Sequence, residues 1–275
     1  MTDVDGTEAG KRPGSPTRPT VSDVRLRELV STVLWGALAF AGVEFAGRLF
    51  GSRATGALVV QAAAAEWACG RLGVAWNDPH APPATGATVR KRILRGAGLG
   101  AAVATLVLTS TFLTRGASVA AASPALGQIV IGLATAIFVA VRQGLFFRGL
   151  VARAFGEALP VPALVGLMAS CQATAAFASD APPGGVAFAF VLGAFLGGVT
   201  LWDRGLVLSV ALHASFTFVV QTIANGGALE VRALDSAWGG GDFGITGGFA
   251  ATVALTLVAA GLAYGIRLGD GRRAG

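Results

Sequence analysis

The chain has 275 residues, 53% of them hydrophobic and 13% charged, with a mean hydropathy of +0.66 and a formal net charge of +6. A soluble domain carries about 25% charged residues, so there is too little polar side chain here to cover a water-soluble globule, and the composition is that of an integral membrane protein whose first partner is the lipid bilayer. The basic excess is nearly all arginine, placed at the ends of apolar segments as topology signals are, and the absence of basic–aromatic arrays argues against nucleic acid.

In chain order, residues 1–24 are rich in Pro, Thr, Gly and charge and are expected to form a disordered cytoplasmic tail. Eight apolar runs follow, each long enough for a helix of about 20 residues: 29–50, 54–76, 94–113, 125–155, 161–179, 184–202, 205–224 and 245–266. The expected fold class is all-α, a polytopic membrane helical bundle of about eight transmembrane helices. It divides into helices 1–3 (25–124), a core of helices 4–7 (125–224), an outer Gly-rich loop (225–244), and the last helix with a short basic tail (245–275).

With the tail inside and each run crossing once, seventeen of the 21 Lys and Arg fall on the cytoplasmic side. Arg48, Arg53, Arg115 and Arg232 fall outside. The asymmetry fits eight spans with both termini cytoplasmic. The Ala/Gly/Arg bias is that of a high-GC bacterial source, which makes the cell inner (plasma) membrane the expected location. Cys69 and Cys171 sit in apolar runs without framework spacing and are expected to be free thiols. The 40 glycines include two small-xxx-small pairs, Gly96/Gly100 and Gly193/Gly197, which predict tight helix crossings. Gln128, Gln172 and Gln221 are expected to make interhelical hydrogen bonds.

Charged residues inside apolar runs carry the functional question. The fourth run ends V-R-Q-G-L-F-F-R-G-L at residues 141–150. Rising ~1.5 Å per residue from residue 125, it crosses a ~30 Å core by about residue 145. Arg142 is therefore expected near the inner interface, free to snorkel, with Arg148 at or past it, bound to backbone carbonyls or headgroups. Glu44 has Arg48 at i+4 and reads as half of an intrahelical pair. Glu66 is deeper and lacks such a base. An intramembrane acid is a functional candidate by default, and a structural, hydrogen-bonded Glu66 is the plainer alternative. His213, alone in the seventh run, is either a site residue or an interhelical packing residue.

L-F-F-R-G-L resembles the first motif of the CPBP family, the CAAX-protease and bacteriocin-processing membrane proteins: two glutamates, three residues, then arginine. Arg148 matches the arginine, and Phe147 and Gly149 its neighbours. The Gly-rich stretch 191–198, the turn W-D-R-G-L at 202–206 and A-L-H-A at 211–214 resemble the family's last two motif helices. There His213 matches the histidine, with the following asparagine position occupied by Thr217. The resemblance covers 125–220. It implies an intramembrane endopeptidase in which glutamate activates water, while histidines and asparagine polarise the scissile carbonyl or hold a metal.

The chain departs from that pattern where the chemistry lies. The two glutamate positions are Gln143 and Gly144, and no histidine occurs in 160–183. An amide cannot take a proton from water and glycine has no side chain. A divalent metal needs about three ligands, whereas His213 stands alone in the motif helices and His80 lies in a Pro-rich loop. No cofactor or metal is therefore expected, although the resemblance leaves a divalent metal open for active relatives. The leading expectation is a catalytically impaired CAAX-protease-like protein acting as a binding or regulatory scaffold for a transmembrane or prenylated partner. An active, divergent endopeptidase with a relocated acid such as Glu66 is a second reading. A small transporter is a third, weakened by the lack of internal repeats and midplane charges.

Overall fold

The computed structural model describes residues 21–49, 55–77, 84–122, 126–225, 228–234, 237–241 and 244–271. The expected tail lies outside them apart from its last residues, which already belong to the first helix. Each of the eight apolar runs is helical. They form α1 (Val21–Leu49), α2 (Thr55–Arg71), α3 (Gly86–Leu113), α6 (Val161–Phe177), α7 (Pro183–Asp203), α9 (Phe249–Gly271) and two composite runs. The first composite is α4 (Leu126–Gln143), a π-helical stretch (Gly144–Leu150) and α5 (Val151–Phe155); the second is α8 (Leu206–Thr217) with a π-helical stretch (Phe218–Ile223). Five runs are long and apolar enough to cross a membrane: Arg27–Gly47, Gly86–Leu113, Leu126–Phe155, Pro183–Asp203 and Leu206–Ile223. The apolar helices at Val161–Phe177 and Phe249–Tyr264 are shorter. The chain is a polytopic, all-helical membrane bundle.

Local sequence sets the breaks. Thr85 caps α3 by accepting the Thr88 N–H, which satisfies one of the orphan donors of the first turn. Proline occupies the first turn of α6 and α7, where its missing N–H costs nothing. Arg204 closes α7 in the left-handed region, at φ 52° and ψ 44°, and α8 starts two residues later. That α7–α8 turn is clamped at one end of the bundle. Leu206 N–H donates to the Trp76 carbonyl, and Arg92 donates to Asn77 Oδ1 at 2.6 Å and to the Asp203 carbonyl at 3.2 Å, beside the Asp203 carboxylate.

The α8 helix is the centre of the bundle, packed on α3, α4 and α7. At Gly96 and Gly100 a Cβ would collide with the Leu208 and Leu212 carbonyls, so α3 and α8 approach backbone to backbone. At Gly193 and Gly197 it would meet Ala169, Gln172 and Met168 of α6. Both glycine pairs thus mark helix crossings, as their spacing predicts. Hydroxyls tie α8 to its neighbours: Thr200 of α7 and Ser209 are hydrogen-bonded at 2.7 Å, and Ser215 donates to the Ala97 carbonyl of α3. The main core, with Val103, Val107, Phe188, Leu196, Leu212, Phe216 and Leu255, lies among α3, α7, α8 and α9.

The opposite end holds a feature the sequence reading lacks. β1 (Ala117–Ala121) pairs antiparallel with β2 (Leu229–Ala233), Val119 opposite Val231. The loop expected at 225–244 therefore carries a strand. Five-residue strands from two distant loops leave no periodicity to read. Gln128 and Gln221 are exposed rather than bridging helices among the described residues. Cys69 and Cys171 are free thiols.

Candidate functional site

The site lies where the π-helical end of the fourth run meets α8 and α6. Gly144–Gly149 is buried throughout, and π-helical turns inside α-helices are frequent at functional sites. A second core surrounds it, with Leu145, Phe146 and Phe147 packed on Val43, Cys69, Val210 and Ala214. Phe40 of α1 covers Phe146 edge-on at 5.2 Å and lies 5.6 Å from Phe147.

Helical side chains lean towards the N-terminus of their helix, and Arg148 does so. Its Nη2 lies 3.1 Å from where a Cβ on Gly144 would be, and Val210 Cγ2 lies 2.6 Å from the same point. The guanidinium thus covers Gly144 and occupies space that a side chain there would need. Arg148 is 1% exposed, and Nε, Nη1 and Nη2 all lack a hydrogen-bond partner. This differs from the expected pairing with carbonyls or headgroups. The side chain folds into the bundle instead of reaching out of it.

On α8, His213 is 3% exposed with Nδ1 unpartnered, and its electrostatic neighbour is Arg148. Thr217, one turn further on, is also buried. Gln143 points to α6, where its Oε1 accepts from Gln172 Nε2 at 2.8 Å. The amide at the first glutamate position is thus spent on an interhelical bond, as Gln172 was expected to make. Gln172 Oε1 is buried and unpartnered. Gln143, Gly144, Arg148 and His213 therefore line one small region rich in unpaired donors.

Glu66 is elsewhere. It is exposed, and both carboxylate oxygens accept from the Trp76 indole N–H, at 2.8 and 3.0 Å. The other intramembrane acid, Glu44, has a partner beyond its own helix, while the side chain of its i+4 neighbour Arg48 lies outside the described residues. Glu44 Oε1 lies 2.9 Å from Arg142 Nη1, in a salt bridge between α1 and α4. The same nitrogen donates to Gln61 Oε1 of α2 at 2.8 Å, and Gln61 Nε2 donates to the Val43 carbonyl. Arg142 does not snorkel. Its guanidinium stays inside the bundle, held by Glu44 and Gln61. Neither half of this ion pair was legible as such, because the partners come from runs nearly a hundred residues apart.

A metal does not fit the donor set. No group of three or more His, Cys, Asp or Glu side chains that could hold an ion occurs among the described residues; His80 lies outside them.

A buried polar cluster at a π-helical break, in an all-helical membrane bundle, has the form of an intramembrane binding or catalytic site. Residues 125–219 match the family model described as type II CAAX prenyl endopeptidase Rce1-like. The α4–α8 core is thus similar to the CAAX-protease (CPBP) family, and α1–α3 and α9 lie outside the match. Among curated proteins and solved structures nothing matches it.

Proposed function

We propose that the protein is a catalytically impaired CAAX-protease-like scaffold that holds a transmembrane or lipidated partner in the region its proteolytic relatives use, without cleaving it. The observation that carries this reading is the charge balance of the site. The guanidinium of Arg148 is buried beside His213 with no carboxylate hydrogen-bonded to either, and the motif position that should hold the acid is an amide already bonded to Gln172. A water molecule there has no carboxylate to take its proton, the role the resemblance assigns to glutamate. Glu44 is engaged by Arg142 and Glu66 by Trp76, so neither acid is free for that task. The protein is further proposed to be a multi-pass protein of the plasma membrane with both termini cytoplasmic, as the arginine distribution supports.

The test is an endopeptidase assay of purified protein in nanodiscs against prenylated and membrane-anchored peptides. The expected result is binding without product. Cleavage that disappears in His213→Ala would overturn the proposal, and loss of that cleavage in Glu66→Gln would identify the relocated acid.

A further inference from the structure

The chain has no Asp or Glu from residue 79 to residue 156. Cations in that stretch find their counter-charge on distant elements or outside the protein. α3 carries four of them near its start, Arg90, Lys91, Arg92 and Arg95, and no acid at all. The helix itself gains nothing from them there, because its N-terminus is the positive end of the macrodipole. Arg92 is satisfied. It donates to Asn77 Oδ1 and to the Asp203 carbonyl, and its Nε lies 3.3 Å from the Asp203 carboxylate. These contacts pin the start of α3 to the α7–α8 turn. Arg95 is a further electrostatic neighbour of Asp203, and Arg204 follows Asp203 in the chain. Arg90, Lys91, Arg95 and Arg204 are exposed, and no acid among the described residues forms an ion pair with any of them.

The surroundings of these cations define the kind of anion that fits. α3 has 28 residues, about 42 Å at ~1.5 Å per residue, against a hydrocarbon core of ~30 Å. All its charges lie at one end, so that end stands in the headgroup layer. Ile93 and Leu94, among the cations, are 47% and 62% exposed, and Trp202, beside Asp203 in the chain, is 55% exposed. The corner therefore joins unpaired positive charge to bare aliphatic surface and an aromatic of the kind that seats at membrane interfaces.

We infer that the corner between the start of α3 and the α7–α8 turn is a binding site for an anionic phospholipid. Its phosphate sits among Arg90, Lys91, Arg95 and Arg204, and its acyl chains run along α3 from Ile93 and Leu94. Arginine forks suit phosphate oxygens in bidentate pairs, and the Arg92–Asn77–Asp203 contacts hold the two sides of the corner in register. α3 lies outside the family match, and the inference is independent of the scaffold role proposed above.

The experiment uses the full chain in nanodiscs of phosphatidylcholine, alone or with a minor fraction of phosphatidylglycerol. Native mass spectrometry reads the lipids retained, and thermal shift reads stabilisation. One cation near a lipid surface is worth about fivefold in affinity for negative charge. The preference for phosphatidylglycerol over phosphatidylcholine is therefore expected to reach at least about tenfold after screening by salt. It should fall to near unity in Arg90→Gln/Lys91→Gln/Arg95→Gln. The control Arg27→Gln/Arg71→Gln/Arg153→Gln removes as much charge from the same end of the bundle and should keep the preference. Should the first triple variant not fold, the single reversal Lys91→Glu decides: a clear drop supports the site, and an unchanged preference overturns it. Equal losses in the two triple variants would show a diffuse charge effect and overturn the inference. Equal retention of the two lipids by the unaltered chain also overturns it. Stabilisation by inorganic phosphate in phosphatidylcholine discs as large as that by phosphatidylglycerol would assign the corner to a soluble anion and overturn the lipid.

Discussion

Arg142 and Arg148 belong to one helical run, yet their surroundings are opposites. Arg142 faces α1 and α2, where Glu44 and Gln61 both accept from its Nη1. Arg148 faces α8, where it meets Val210 and His213 and has no hydrogen-bond partner. The first is a structural clasp: it ties two helices outside the family match to the matched core. The second is a held charge with no structural use for it in the bundle. The difference teaches that an intramembrane arginine is to be judged by its acceptors rather than by its depth.

The largest expected effect separates the two arginines by sign. Arg142→Met leaves Glu44 without its cation and should destabilise the fold by about 3 kcal/mol, the low end for breaking a buried pair, because Glu44 keeps a third of its surface exposed. Arg148→Met removes an unpaired buried charge and should leave stability unchanged or raise it in the absence of ligand. Reversible unfolding in mixed micelles measures both. Equal losses at the two positions would break the comparison.

The sequence carried some of this and not the rest, for physical reasons. The apolar runs and the glycine spacings at 96/100 and 193/197 are local patterns, and each corresponds to a helix or a crossing. The bond from Gln172 was also readable, since a lone amide in an apolar run needs a partner. The Glu44–Arg142 pair was not, because the i+4 rule offers Arg48 as a nearer partner and nothing in the order of residues states which faces of α1 and α4 meet. The clasp around Arg142 was hidden for the same reason, since Glu44 and Gln61, which hold its guanidinium, come from other helices. Folding Arg148 back over Gly144 depends on the absence of a Cβ there, visible only once Val210 is placed opposite.

Two glycines test the packing on each side at intermediate size. A Cβ at position 144 would press on Val210 Cγ2 and on the guanidinium. Gly144→Ala should therefore cost about 2 kcal/mol, as overpacking of a tight core does, and Val210→Ala should restore much of it. On the clasp side, Gly47 leaves room for the Gln61 amide. Gly47→Ala meets the movable end of a side chain rather than packed backbone, so the loss is about 1 kcal/mol, that of the hydrogen bond from Gln61 to Val43. Thermal denaturation of the single variants, with Gly144→Ala/Val210→Ala beside them, checks the ranking. A larger loss at 47 than at 144 would mean that the clasp, not the motif, is the more rigid region.

The smallest effect concerns the bond between α4 and α6. Gln143 and Gln172 are joined by one neutral hydrogen bond of 2.8 Å, and double-mutant cycles on such bonds in membrane helices give about 0.6 kcal/mol. A cycle of Gln143→Leu and Gln172→Leu should therefore return a coupling of that size. The corresponding cycle of Glu44→Gln and Arg142→Met should return a clearly larger one, since it separates unlike charges in a low-dielectric setting. A Gln143–Gln172 coupling as large as that of the ion pair would mean that α6 is locked onto α4.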